Sequence, residues 1–443
     1  MRKLCHNLLR ACYRTARKCG AGVLLVFAHV RIRFAVRRIA AVRGRPLKVA
    51  FLVVFDSVFP LENVFRLMLS DRDFDPHVVV IPDVSRGNEH RDRVMQQTFA
   101  NLRGKYGGRV TMSNDDGHFK DVSRAYDLYA TMNPYSGMTH RFYSIPYLAL
   151  KGCLVFASRY FTDTGTIYSR PFNTLLSLAW LWRFYAEDER DADNIRDAQR
   201  WLRRRNAVVA VGCPKMDAFK PVSSRSGRKC VIIAPHHSID PIGANGFTIA
   251  NFPRYADFFL KLPEMYEQID WVFRPHPLLF SAMMNSGRWT KSECDSWLDE
   301  MTSHSNVRYE AGGEYLETFA KSDGIIQDCS SFLPEYFCTG MPQCYLLKSK
   351  ESEAEQFAEY GRQLLSHTYK AYSEADVISF IDNVIIQGLD EKRGGASALR
   401  RRTSYVQQRE GRSCDSRRHQ ALAGHVERLQ CREANEGKHP SAF

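Results

Sequence analysis

Short, almost wholly apolar runs recur along residues 48–347, separated by mixed polar and apolar stretches with helical spacing. Lys48–Phe55 is one such run, and a continuous apolar run of this length predicts a strand buried on both faces of a parallel sheet. Asp56–Pro60 then reads as a loop, Glu62–Leu69 as a helix and Asp75–Pro82 as the next strand. Strand, helix and strand within so few residues make a βαβ unit. Further strands are expected at Asp127–Met132, Gly152–Ala157 and Ala207–Gly212. Leu175–Glu187, with Trp180 and Trp182, predicts an apolar core helix, and Asp188–Arg205 a charged helix with a solvated face.

The same alternation restarts after a polar stretch, Pro221–Lys229, which reads as a linker. Strands are expected at Cys230–Ala234, Trp271–Arg274, Val307–Tyr309 and Gly324–Asp328, with helices at Arg254–Met265, Tyr315–Lys321 and Phe332–Cys338. Residues 351–388 carry an apolar stripe, Val377, Ile378, Ile381, Val384 and Ile385, and are expected to be helical. A chain of 443 residues exceeds one ordinary core, so two α/β domains are expected, over residues 48–220 and 221–390.

The net charge of +13 changes this picture only at the ends. Met1–Lys48 holds 13 Lys and Arg and no acid, Glu391–Phe443 holds 12 basic against 6 acidic residues, and the remainder is near −6. A nucleic-acid-binding fold would carry its basic footprint on its own surface, so nucleic acid is excluded as a partner. Residues 391–443 are Arg-, Ser- and Gln-rich, and disorder is expected there. In residues 1–47 the apolar run around Ala21–Ala28 is roughly half of what spans a bilayer. With its arginines it fits a segment lying on an anionic membrane surface, with a disordered basic extension and a mitochondrial-type presequence as the alternatives. The 12 Cys show no C-x-x-C pair and no signal peptide is visible, which points to reduced, cytosolic thiols.

The candidate chemistry sits where the predicted strands end, which in an open parallel sheet is one edge. Pro235-His236-His237-Ser238 ends one strand, Arg274-Pro275-His276-Pro277 the next, and Asp328-Cys329-Ser330-Ser331 a third. Ser331 is expected to cap the helix that follows, with Glu335 one turn further in. Amides and hydroxyls there suit a diphosphate, and a carboxylate suits ribose hydroxyls. Asn133-Pro134-Tyr135 and His140 follow a strand in the first half, and Cys213-Pro214-Lys215 another. No G-x-G-x-x-G follows the first strand, and no carboxylate or Cys stands at ligand spacing beside the histidines, so neither a cofactor nor a metal is expected.

Four segments carry a resemblance. Val211–Asp217, Ala234–Ile239, Phe273–Leu278 and Ile326–Tyr336 resemble, in order and spacing, the motifs of the CDP-glycerol glycerophosphotransferase family, the teichoic-acid and capsule polymerases and primases. The resemblance runs from about residue 210 to 347 and implies a GT-B architecture, two Rossmann-type domains facing a central cleft. It implies transfer of a polyol phosphate from a CDP-activated donor to a hydroxyl of a lipid-linked or polysaccharide acceptor, at the inner face of the cell membrane. By the same resemblance His276, Ser330 and Ser331 would hold the donor phosphates and Glu335 the ribose, and Lys215, Arg274 and Asp328 are expected among the donor-binding residues beside them. The Trp-His-Gly-Thr-Pro segment of polymerase-type members is absent, so His140, His236 or His237 would supply the base. A nucleotide-sugar glycosyltransferase and a catalytically silent nucleotide-binding scaffold are the alternatives on the same fold.

Overall fold

The computed structural model describes residues 22–393 apart from 43, 116, 160, 167–169, 201–206, 221, 223–226 and 240–247. Residues 1–21 of the predicted basic N-terminal segment and nearly all of the predicted tail lie outside the described residues. The chain divides into two compact units, with the change between them at Lys215 and Met216 and with the stretch from Phe161 to Pro171 belonging to the second.

The first unit is built on seven parallel strands: β1 (Leu47–Val53), β2 (Phe74–Val80), β3 (Val110–Met112), β4 (Leu128–Thr131), β5 (Leu154–Ser158), β6 (Arg183–Ala186) and β7 (Val208–Ala210). Their order is β3-β2-β1-β4-β5-β6-β7, all parallel. This is the doubly wound order, in which the chain reverses direction across the sheet between β1 and β4. The run after Lys48 forms an interior strand because its residues are buried on both faces, as the adjacent Phe51 and Leu52 are. The helix Glu62–Leu69 lies where the sequence puts it.

One expectation needs correction, and two elements add to the sequence reading. Leu175–Glu187 is not one helix: a single turn, Leu176–Trp180, leads into strand β6, where the Trp182 amide already bonds to the Val155 carbonyl at 2.8 Å. A fully apolar run looks alike as buried helix and as central strand, and here sheet pairing wins. The long helix Asn88–Tyr106 was not anticipated, because its buried side, Met95, Thr98 and Leu102, is a thin stripe on a polar sequence. Residues 22–40 form a helix whose Ile32, Ala35 and Ile39 join the first unit's core, so this part of the basic segment is packed onto the fold.

The second unit repeats the winding with six parallel strands: β8 (Lys229–Ala234), β9 (Ile269–Phe273), β10 (Val307–Tyr309), β11 (Gly324–Gln327), β12 (Gln343–Leu346) and β13 (Tyr369–Ala371), in the order β10-β9-β8-β11-β12-β13. Side chains alternate across this sheet. Val231, Ile233, Trp271 and Phe273 face a core shared with the helix Phe252–Met265, whereas Ile232, Ala234, Val272 and Ile325 face Phe319 and Tyr336. Strands β12 and β13 were not expected, and β13 interrupts the stretch read as helical, which is otherwise helices at Lys350–Gln356, Glu359–Ser366 and Glu374–Ser379, the last continuing in wider helical turns over Phe380–Ile386 with most of the expected stripe buried. The stretch 161–166 docks against this unit through the Ala358 amide on the Gly165 carbonyl at 2.6 Å. Gly165 has φ +66°, and a Cβ there would stand 2.7 Å from the Gly361 amide, so two glycines make the approach possible.

Candidate functional site

The winding of the second unit reverses between β8 and β11, and the ends of those strands lie side by side, with Ala234 paired to Gln327. Ligands of open parallel sheets bind at this reversal, beyond the carboxyl ends of the strands. Three turns meet there. The turn after β8 carries His236 and His237, the turn after β9 carries His276, and the turn after β11 carries Asp328, Ser330 and Ser331. Strands β9 and β11 flank β8, so the outer two turns are about 10 Å apart at their roots.

Asp328 organises the crossing. Its carboxylate accepts the His236 amide at 2.6 Å and the Asn251 amide at 2.5 Å, with the Asn251 side-chain amide at 3.3 Å. Full burial raises its pKa to about 6, against the lowering effect of these N–H donors. Asp328 was expected among the donor-binding groups, and its carboxylate is instead wholly enclosed and spent on loops of its own unit. The Asn251 amide also reaches the Leu346 carbonyl at 3.2 Å and ties in β12.

The three imidazoles form one cluster. Ring centroids are 3.9 Å apart for His237 and His276, 4.3 Å for His236 and His237, and 5.1 Å for His236 and His276. Burial first, and then the neighbouring rings, pushes the His236 pKa far down and that of His276 down to about 3, and burial lowers His237. All three are therefore neutral at physiological pH. The Nδ1 atom of His276 accepts the Leu278 amide at 3.1 Å, and that of His236 accepts the Ser238 amide at 3.2 Å. A nitrogen that accepts an N–H carries no proton, so the proton of each neutral ring is on Nε2. The Nδ1 atom of His237 is buried and has no hydrogen-bond partner among the described residues.

One ring nitrogen from each histidine lies within 4.8 Å of the others, close enough to share a metal ion. The hydrogen bonds oppose that use. A metal-bound imidazole ordinarily donates from its second nitrogen to a carboxylate or carbonyl, whereas in His236 and His276 that nitrogen faces an N–H donor. Rings held this way present N–H groups, which suit an anion.

Several expected roles change. Arg274 points its guanidinium at Glu310, 2.5 Å away, and at the Gly313 carbonyl, so its charge is neutralised within the unit rather than offered to a phosphate. Ser331 makes no side-chain cap bond, its hydroxyl lying 3.3 Å from the Cys329 sulfur, and the helix after it, Phe332–Tyr336, has five residues. So short a helix contributes little dipole. Glu335 is buried and accepts the Thr162 hydroxyl at 3.0 Å and the Tyr315 hydroxyl. Ser330 is half-buried beside Ser331 in the same turn.

His140 and Lys215 belong to the first unit. The His140 ring stacks on Phe119 at 4.5 Å and meets Phe142 edge-on at 4.7 Å, and its Nδ1 accepts the Phe142 amide at 3.5 Å. Burial, with Arg141 nearby, lowers its pKa. Lys215 lies on a single turn, Pro214–Ala218. Asn251, Thr162, Tyr315 and Ser238 take part in the second unit's arrangement without having been singled out. Only Ser238, two residues after His236, had a local signal.

No protein-family model matches the chain, and no curated protein matches it by sequence. Solved structures do match. A UDP-N-acetylglucosamine 2-epimerase aligns with TM-score 0.52 and 13% identity over 90% of this chain and 100% of that one. A histidine-to-asparagine variant of the wall teichoic acid polymerase TagF, soaked with CDPG, aligns with TM-score 0.51 and 10% identity over 97% and 98%. The S. aureus MnaA–UDP complex aligns with TM-score 0.50 and 14% identity over 90% and 100%. At such identities the likeness concerns the backbone. With two doubly wound parallel sheets in one chain, the protein has the GT-B fold.

Proposed function

We propose that the protein is a transferase that moves glycerol phosphate, or a related polyol phosphate, from a CDP-activated donor to a hydroxyl of a lipid-linked or polysaccharide acceptor. CMP leaves, and the product extends a cell-surface polymer such as a teichoic acid or a capsule. The observation that carries this reading is the cluster of neutral imidazoles at the strand reversal of the second unit. Phosphoryl transfer needs mainly positioning and hydrogen-bond donors aimed at phosphate oxygens, and little covalent chemistry from the protein. His276, with its proton on Nε2, donates to a diphosphate oxygen, and Ser330 and Ser331 add hydroxyl donors from the neighbouring turn.

His236 is nearly enclosed and anchored by Ser238 and Asp328, so it positions the pair. His237, half-buried where the other two rings are more enclosed, serves as the base that takes the acceptor hydroxyl's proton; its Nδ1 is enclosed, so Nε2 is the nitrogen that accepts it. A neutral imidazole can take that proton over the whole physiological range. His140 is the competing base, and the two are separated by substitution.

The test is incubation with CDP-glycerol against a panel of UDP- and GDP-sugars, reading nucleotide release. CMP from CDP-glycerol, abolished in His276→Ala, is the expected result. Release from the sugars alone would make the protein a glycosyltransferase, and no release from any donor would make it a binding scaffold.

A further inference from the structure

The helix over residues 22–40 has two apolar faces, and only one of them is used by the fold. Leu25, Ala28, Ile32, Ala35 and Ile39 are buried at heptad-like spacing, and His29 and Arg31 bond the carbonyls of Ala179 and Lys151 at 3.0 and 3.2 Å. At about 100° per residue, a second stripe formed by Val23, Val26, Phe27, Val30 and Phe34 is centred roughly 160° around the helix from the first. These residues are exposed: Val23 72%, Val26 65%, Phe27 50% and Phe34 64%. Solvated helix faces are ordinarily polar, and a valine and phenylalanine stripe on the solvent pole of a helix fixed to a domain needs a partner.

Charge identifies that partner. By the same angles Arg33 borders the stripe on one side and Arg38 on the other, Arg37 lies within its arc beyond Phe34, and residues 1–48 contain no acid. Apolar side chains flanked on both sides by arginines fit a bilayer with anionic headgroups, with the apolar stripe at the acyl boundary and the guanidinium groups at the phosphates. No helix among the described residues is long and apolar enough to cross a membrane. We therefore propose that the solvent pole of this helix is a docking surface for an anionic lipid bilayer and holds the first unit against it. This deepens the membrane part of the proposed function, and it rests on the helix alone.

The experiment uses the full chain and vesicles of phosphatidylcholine with about one third phosphatidylglycerol, compared with pure phosphatidylcholine, in a flotation assay. The protein is expected to float with the anionic vesicles only, and to be released when salt is raised from about 0.1 M to 1 M. The double variant Phe27→Glu/Phe34→Glu, with an unchanged melting temperature, should lower the bound fraction at least about tenfold. Arg33→Glu/Arg37→Glu should do the same, whereas Phe27→Trp should retain binding and shift its indole emission on adding vesicles. Equal binding by Phe27→Glu/Phe34→Glu would overturn the proposal. So would an absence of wild-type binding, or a dimer that this variant dissolves while vesicles have no effect. Soluble donor hydrolysis should be the same in these variants, so a failed donor assay and a failed flotation point to different errors.

Discussion

The two units share one winding and spend the edge of it differently. In the first unit, Asp56 beyond β1 takes the Asn101 amide at 2.8 Å, and Asn133 beyond β4 caps its own turn through the Tyr135 amide at 3.0 Å. The polar groups at that reversal tie one loop to the helix Asn88–Tyr106 and close another on itself, although the Asn133 Nδ2 is buried without a hydrogen-bond partner among the described residues. In the second unit the corresponding edge gathers three imidazoles, one with an unpartnered buried nitrogen, over a carboxylate that fixes their loops. A parallel sheet supplies the place, and the residues at its strand ends decide whether chemistry is available there.

The strongest way to break this comparison is to remove one imidazole from each unit. His276→Ala and His237→Ala should each lower transfer by about 10²–10⁴-fold, while His140→Ala should cost less than about tenfold. Measured initial rates of CMP release check this, and the reverse ranking would move the base to the first unit. Next in size is the support beneath the cluster. Asp328→Ala leaves two buried amides unsatisfied and should destabilise by roughly 3 kcal/mol in urea melts, with KM for donor raised.

A smaller effect is the pH dependence of stability. His276 has a folded pKa of about 3, below its unfolded value of 6.5, so the unfolded chain binds more protons between these values and stability rises with pH through that window. His236 and His237 act in the same direction. Asp328, raised from 3.8 to about 6, acts in the opposite sense, so the three imidazoles outweigh one carboxyl. The melting temperature should rise from pH 4.5 to 6.5, and His276→Asn should flatten that rise. The smallest expected effect is Ser331→Ala, which removes no cap bond and should cost under about 0.5 kcal/mol of stability while weakening donor binding.

The strands at the centre of both sheets were legible because burial on both faces leaves a continuous apolar run, as in residues 48–53 and 230–234. The histidine turns were legible because prolines punctuate the ends of those runs. Their consequences were not. Asp328 finds its amides 92 and 77 residues away, Arg274 finds Glu310 36 residues on, and Glu335 finds Thr162 across 173 residues. Local periodicity carries no trace of such partners, so Arg274 read as a free charge and Glu335 as an open carboxylate. Strands Val307–Tyr309 and Gly324–Gln327 are as short as β12 and β13 and were expected, but Tyr369–Ala371 lies among helical segments and reads as part of them.

The central claim is that the histidine-bearing edge of the second unit takes a CDP-activated donor. Calorimetric titration of CDP-glycerol and of UDP-N-acetylglucosamine into the wild-type protein and His276→Ala tests it most directly. CDP-glycerol should bind the wild-type protein at least about tenfold more tightly than the sugar nucleotide, and the substitution should weaken CDP-glycerol binding by at least about tenfold. Equal affinities for the two donors, or CDP-glycerol binding that survives loss of the imidazole unchanged, would contradict it.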